Sequence, residues 1–394
     1  MAAPYLLDLS HTSHTRARTG IQRVARSLAA ALEGAAVAVT HDPWRGTWRT
    51  LEPWEQANLA ATEPARTRGA NWPWSARLRG RLARLWWDRR GAPRLPASAG
   101  VIVPELFSPT VAASFPALRA ATSGPCVALF HDGIPLKLPE FTPVKTVARF
   151  PAYLQELLAF DGIAAVSEDS RATLVDYWRW LGVERMPVVQ TLPLAVELPL
   201  RPTPPSAAGR PVVLCVGSIE GRKNHLALLE AAERLWAEGV DFELQLVGLP
   251  RPETAGPALA RLRALQAAGR PLRHDANADD EALSAAYATC AFTVYPSIME
   301  GFGLPVLESL AHGRPCVCLN RGALAESARG GGCVPLDQVD ASSLATAMGT
   351  LVRDRVARDR LGAEARARSF RRWSDYATDL IGWMEHEVAP RRRA

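Results

Sequence analysis

The chain has 394 residues, which at about 150 residues per domain implies two or three domains. Hydrophobic residues make up 48% and charged residues 22%, excluding wholesale disorder, and no apolar run approaches the roughly 20 residues needed to cross a bilayer. A net charge of +6 suits an anionic partner, although an Arg-rich and Ala-rich composition accounts for much of it.

The start, MAAPYLLDLS, has no basic segment and no long apolar stretch, so no secretory signal is read there. YLLDL reads as a strand, a polar loop runs to Gly20, and a helix follows from about Ile21 to Leu32. Further apolar runs are GVIVPELF (100–107), PCVALF (125–130), GIAAVS (162–167) and PVVQTL (187–192), with a helical pattern over 168–180. Residues 197–210, rich in Pro and small residues, read as a linker. The alternation then restarts. PVVLCVGS (211–218) and DFELQLVG (241–248) are strands, with a helix from about Lys223 to Glu238 between them. Helical stretches at 256–268 and Asp279–Thr289 flank a short strand near Leu272. Then come the strand AFTVYP (291–296), a helix from Leu304 to His312, the strand PCVCLN (315–320), two helical patterns over 340–370 and a last one over Ser374–Glu387.

Strand–helix alternation throughout predicts an α/β protein with two doubly wound, Rossmann-like halves facing a central cleft. The boundaries are 1–200, 201–372 and a final helical segment 373–394. Six scattered Cys without a CxxC fit reduced thiols in a cytoplasmic protein. Residues 44–98 fall outside the alternation and read as an insertion. They hold Trp44, Trp48, Trp54, Trp72, Trp74, Trp86 and Trp87, with many Arg. On a helix from Arg77, Leu78, Leu82 and Leu85 share one face with Trp86 and Arg77, Arg81 and Arg84 another. The bland reading is core packing beneath solvated Arg. The functional reading, for 66–94, is peripheral contact with an anionic membrane at its cytoplasmic face, or with an acceptor.

Two segments carry chemistry. In YPSIMEGFGLPVLESLAHGRP (295–315), a strand ends at Tyr295–Pro296, a Gly-bearing loop follows, and Pro305 sits in a first helical turn. The free N–H groups near Gly303 and Leu304 make an anion site aided by the helix dipole. Glu300 in the loop and Glu308 one turn into the helix frame it, and carboxylates accept from sugar hydroxyls. In VGSIEGRKNH (216–225), Gly217 and Gly221 permit a tight turn, and Arg222 and Lys223 stand at a helix start. Cations oppose the dipole there, so an anionic ligand, such as a diphosphate, is expected to compensate.

Arg222-Lys223-Asn224 after Val216-Gly217, together with Glu300-Gly301-Phe302-Gly303-Leu304-Pro305 and Glu308, resembles the signature of retaining glycosyltransferase family 4, which has the GT-B fold. Thr19-Gly20-Ile21-Gln22-Arg23-Val24, His131-Asp132-Gly133-Ile134-Pro135 and Val166-Ser167-Glu168-Asp169-Ser170 are similar to segments of its mannosyltransferase-like subgroup, which builds bacterial surface polysaccharides such as O-antigen and capsule. The resemblance implies that Arg222 and Lys223 bind the donor diphosphate and stabilise the leaving group. It implies that Glu308 accepts from the ribose, Glu300 contacts the donor sugar, and the amides of Gly301, Phe302, Gly303 and Leu304 hold sugar and phosphate. His131 would lie at the sugar's reacting face, Gly20 and Gly217 near the phosphates, and His274 and Asp275 near the base. The last helix, around Trp373–Trp383, would cross back onto the first half.

The chain contains no Asp-x-Asp triplet, so a metal-independent reaction without a cofactor is expected, with the two Glu as binding groups rather than a glycosidase pair. Asp279, Asp280 and Glu281 read as first-turn helix acids, and Ser167 as a helix cap. The expected partners are a nucleotide-sugar donor (GDP-mannose, GDP-rhamnose or a UDP-sugar) and a glycan or polyprenyl-diphosphate-linked acceptor, and no nucleic acid. The alternatives are a GT-B-fold sugar-nucleotide epimerase, which needs no acceptor, and a non-catalytic sugar-nucleotide-binding protein.

Overall fold

The computed structural model describes residues 3–61, 69–90, 95–198 and 209–393, with side chains throughout except at 86–90 and 393. The expected linker, at 199–208, and the expected boundary at 200/201 lie outside the described residues, as do parts of the Trp/Arg segment at 62–68 and 91–94.

Two parallel sheets form two lobes. The first contains β1 (Tyr5–Asp8), β2 (Ala36–Asp42), β3 (Thr47–Thr50), β4 (Gly100–Val103), β5 (Cys126–Phe130), β6 (Gly162–Ala165) and β7 (Val188–Thr191), in the order β3-β2-β1-β4-β5-β6-β7. Among the described strands only β3 runs antiparallel, pairing Trp48 with His41. The second contains β8 (Val212–Val216), β9 (Glu243–Val247), β10 (Leu272–Asp275), β11 (Phe292–Tyr295), β12 (Cys316–Leu319) and β13 (Cys333–Leu336), in the order β10-β9-β8-β11-β12-β13. This is the doubly wound order whose direction reverses beside the first strand, and ligands bind beyond the carboxyl ends of the strands at that reversal.

The strands read as continuous apolar runs because both faces of each sheet are covered. In the first lobe successive residues alternate between two cores. Leu6, Val101, Val103, Phe130 and Ile163 face one, and Leu7, Ile102, Val127, Leu129 and Ala164 the other. The second of these cores is closed by Val24, Ala25 and Leu28 of the helix Gly20–Ala31 and by the C-terminal segment. The helix Trp373–Trp383 and the turns after it supply Tyr376, Leu380, Trp383, Met384 and Val388 to this first-lobe core.

The structure departs from the sequence reading in the segment taken as an insertion. Residues 47–50 are the edge strand of the first sheet, and Pro53–Ala60 is a helix packed beside it. Its Trp are mostly structural. Trp48 is buried, Trp54 and Trp72 pack around the His14 ring, and Trp44 lies under the guanidinium groups of Arg77 and Arg81. The helix Trp74–Arg90 differs, exposing Trp74, Leu78, Leu82 and Leu85. Trp86 and Trp87 lie among the undescribed side chains. β2, β13 and the helix Gly322–Ala328 were also not anticipated.

Candidate active site

At the reversal point of the second sheet, the chain leaves β8 through Gly217 and leaves β11 through Pro296. Arg222 and Lys223 stand in a short 3-10 turn, Gly221–Lys223, and the helix begins only at His225. This corrects the expectation that the two cations open the helix. Asn224 intervenes in a left-handed conformation (φ 55°), its side-chain amide donating to the Val339 carbonyl at 2.7 Å. That break turns Arg222 and Lys223 toward the loop after β11.

There they meet Glu300. Arg222 Nη1 lies 2.8 Å and Lys223 Nζ 2.5 Å from Glu300 Oε1. Ser297 Oγ donates to the same oxygen, and Lys223 Nζ also bonds the Tyr295 hydroxyl and lies over that ring. Arg222 is further held by Glu220 Oε1 at 2.8 Å and the Met299 carbonyl at 3.0 Å. Burial resists ionisation of Glu300, but Arg222 and Lys223 outweigh it and hold the carboxyl at about 2. Burial lowers the Lys223 ammonium below its ordinary value. The result is two mostly buried cations sharing one carboxylate oxygen, with Glu220 pairing Arg222 as well, so an incoming anion competes with Glu300 for both cations.

Beyond Glu300 the loop crosses to the first lobe. A Cβ on Gly301 would lie 2.1 Å from the His131 carbonyl oxygen, so only glycine permits this approach. Ser167 Oγ and Ser170 Oγ donate to the Gly301 carbonyl at 2.6 and 3.2 Å, tying the loop to the first lobe. Ser167 also caps its helix, accepting from the Ser170 N–H. Phe302 and Leu304 pack against the first-lobe core. Gly303, at φ 101°, is the N-cap of the helix Leu304–Ala311, whose first turn leaves N–H groups without partners inside the helix.

Glu308, on that helix, is buried and fully engaged. Its Oε2 accepts from the Tyr287 hydroxyl at 2.9 Å, and its Oε1 lies 2.5 Å from Arg23 Nη2 of the first lobe. His131 closes the opposite wall. Its Nε2 lies 2.7 Å from the Pro104 carbonyl, so that nitrogen carries the proton and Nδ1 is the basic one. Burial lowers its pKa, keeping the ring neutral.

The structure therefore brings Arg222, Lys223, Glu300, Gly301, Phe302, Gly303, Leu304, Glu308 and His131 to one interlobe site. Gly217 lies beside the Lys223 side chain. His274 stands further out, at the end of β10, bonded to the Gly248 carbonyl at 2.9 Å, and Asp275 caps Asn277 beside it. Gly20 is the first residue of its helix, and a Cβ there meets open space. Asp279 caps the helix Asp280–Thr289. Sequence reasoning assigned no role to Tyr295, Ser297, Tyr287, Arg23 or Ser170. Arg23, Ser170, Tyr295 and Ser297 lay inside the motif segments and Tyr287 outside them, and most of their partners are set by contacts that no local spacing shows.

Comparison with known proteins agrees with this geometry. Residues 210–354 match the family Glycosyl transferases group 1. The chain is 28% identical over 333 residues to the serotype-specific mannosyltransferase WbdA of Escherichia coli, covering 79% of this chain and 38% of WbdA. It is 31% identical over 212 residues to the O-antigen chain mannosyltransferase B of Escherichia coli, covering 51% of this chain and 54% of that protein. The chain thus spans less than half of WbdA's length. Among solved structures, Anabaena Alr3699/HepE in complex with UDP and glucose superposes with a TM-score of 0.63 at 14% identity, each chain covered in full. A UDP-forming α,α-trehalose-phosphate synthase from Burkholderia vietnamiensis superposes at 0.62 and 14% identity, over 99% of this chain and 100% of that one. The fold is GT-B, and the second lobe carries a glycosyltransferase group 1 domain.

Proposed function

We propose that this protein is a retaining, metal-independent glycosyltransferase of family 4. It would move a hexosyl group, mannose- or rhamnose-like, from a nucleoside-diphosphate sugar to a glycan or lipid-linked acceptor of bacterial surface polysaccharide. The reading is carried by one observation: Arg222 and Lys223 converge on Glu300, four residues before the helix Leu304–Ala311, at the reversal point of the second sheet.

The diphosphate lies against the two cations and the helix start, with the ribose on Glu308 and the base toward His274. Breaking the bond from the anomeric carbon to the β-phosphate oxygen puts negative charge on the diphosphate and leaves an oxocarbenium-like sugar. Arg222, Lys223 and the amides of 303–304 stabilise that separation from fixed positions, as electrostatic preorganisation requires. The acceptor hydroxyl attacks from the face the diphosphate leaves, and the departing phosphate oxygen takes its proton, so configuration is retained without a protein nucleophile. Glu300 and neutral His131 orient the sugar.

The WbdA and mannosyltransferase B relatives support the mannosyl and O-antigen reading. No helix among the described residues is long and apolar enough to span a membrane. The exposed Trp74, Leu78, Leu82 and Leu85, flanked by Arg77, Arg79, Arg81 and Arg84, support peripheral contact with an anionic membrane from the cytoplasmic side. The test is a transfer assay with a panel of GDP- and UDP-sugars, with and without acceptor glycan, the product anomer read by NMR. An α-linked product from an α-linked donor, formed only with acceptor, is expected. A donor altered without acceptor, or inversion, refutes the reading.

A further inference from the structure

Four arginines lie along the first-lobe segment 16–26, and two of them bond within that lobe. Arg16 bonds the Asn58 side chain and Arg26 holds the carbonyls of Thr15, Asn58 and Leu59, while Arg18 bonds the Ala61 carbonyl and, across to the second lobe, Asp280. Arg23 also crosses between the lobes, but at the site itself. One turn into the helix Gly20–Ala31, it reaches across the cleft to Glu308 at 2.5 Å, with a side chain 22% exposed.

This contact lies on Oε1 and Tyr287 holds Oε2, so the ribose on the reading given above meets a carboxylate already engaged at both oxygens. A ribose hydroxyl at Oε1 competes there with the guanidinium. A mostly buried cation that leaves a carboxylate needs another anion to receive it; Glu197 is a second carboxylate whose charge acts on Arg23, and an entering diphosphate brings more charge to the same cleft. Glu308 lies four residues beyond the helix start, about 6 Å along the axis. The released guanidinium thus stands within about one helical turn of the expected diphosphate, and its fork of donors matches phosphate oxygens.

We propose that Arg23 is a phosphate-binding residue contributed by the first lobe, exchanging Glu308 for the donor diphosphate when the nucleotide enters. The second lobe then supplies Arg222, Lys223 and the helix start, and the first lobe supplies Arg23. Nucleotide binding and the juxtaposition of the lobes become one event. This rests on the nucleoside-diphosphate reading of the site.

The test compares wild type with Arg23→Ala and Arg23→Lys, using GDP, UDP and ADP by calorimetry and guanosine, uridine and adenosine by NMR titration. For the diphosphate that wild type binds, Arg23→Ala should lower affinity at least tenfold. Affinity for the matching nucleoside should stay level or rise, since the ribose no longer has to evict a cation. Arg23→Lys should fall between. Diphosphate affinity that is unchanged or higher in Arg23→Ala overturns the inference and leaves Arg23 as a simple competitor of the ribose. Equal loss for diphosphate and nucleoside also overturns it, showing a general disturbance of the cleft. A wild-type chain that binds none of the diphosphates removes the functional reading and this inference with it.

Discussion

Replacing Glu300 by Gln should weaken the empty protein and strengthen its grip on a nucleoside diphosphate. Glu300 Oε1 is shared by Lys223 Nζ at 2.5 Å and Arg222 Nη1 at 2.8 Å, and the Glu300 and Lys223 side chains are each only 10% exposed. Removing one member of a buried ion pair costs about 3–5 kcal/mol, because the partner is left uncompensated. Arg222 keeps Glu220 and the Met299 carbonyl, and Lys223 keeps the Tyr295 hydroxyl, so the low end, about 3 kcal/mol, applies. For a lobe of this size that is roughly 6–12 °C in melting temperature. A diphosphate then meets two cations without the Glu300 carboxylate as a competitor, with Glu220 still pairing with Arg222. Recovering the whole cost corresponds to about 100-fold in affinity, which is an upper bound. Thermal unfolding with and without GDP or UDP, together with calorimetry, measures both quantities. Sugar transfer should fall as diphosphate affinity rises. A Glu300→Gln protein of wild-type stability whose diphosphate affinity is unchanged or lower would refute the charge argument.

Further outcomes follow from other parts of the structure. Burial raises the Asp8 carboxyl from 3.8 to about 7, with the Glu105 charge adding to the shift. Folding therefore favours its protonated form, and that contribution, complete below pH 4, is lost as pH rises through about 7. Between pH 5 and 8, Asp8→Asn should gain about 3 kcal/mol relative to wild type in urea unfolding, and parallel pH profiles would contradict this. Gly301→Ala drives a methyl group to 2.1 Å from the His131 carbonyl oxygen. It should lower kcat severalfold or more and weaken diphosphate binding as well, because the loop and the juxtaposed first lobe both contribute to that site, and undiminished transfer would show that the lobes need not meet there. Changing Trp74, Leu78, Leu82 and Leu85 together to Ser should abolish salt-sensitive co-sedimentation with phosphatidylglycerol vesicles. Absence of such binding in wild type would exclude the membrane face.

The sheet strands and the site loop were legible in the sequence because each is short-range. Both-face burial writes strands as apolar runs, and EGFGLP joins a strand end to a helix start within a few residues. β2 and β3 were hidden because Trp48, Arg49 and His41 are half polar and their pairing is antiparallel at a sheet edge. The position of Arg222 and Lys223 was shifted because Asn224, a non-glycine residue in a left-handed conformation, stops the turn before the helix. The partners of Glu308 were invisible for a different reason. Arg23 is far away along the chain, on the other lobe, and only the closed arrangement brings the two together.

The most direct test of the account is calorimetric titration of GDP and UDP into wild type and the Arg222→Ala/Lys223→Ala double variant, each in EDTA and again in excess magnesium or manganese. The account predicts that wild type binds one of the two nucleotides equally well in all three conditions and that the double variant loses most of that affinity. Binding that vanishes in EDTA, or that survives removal of both cations, would contradict it.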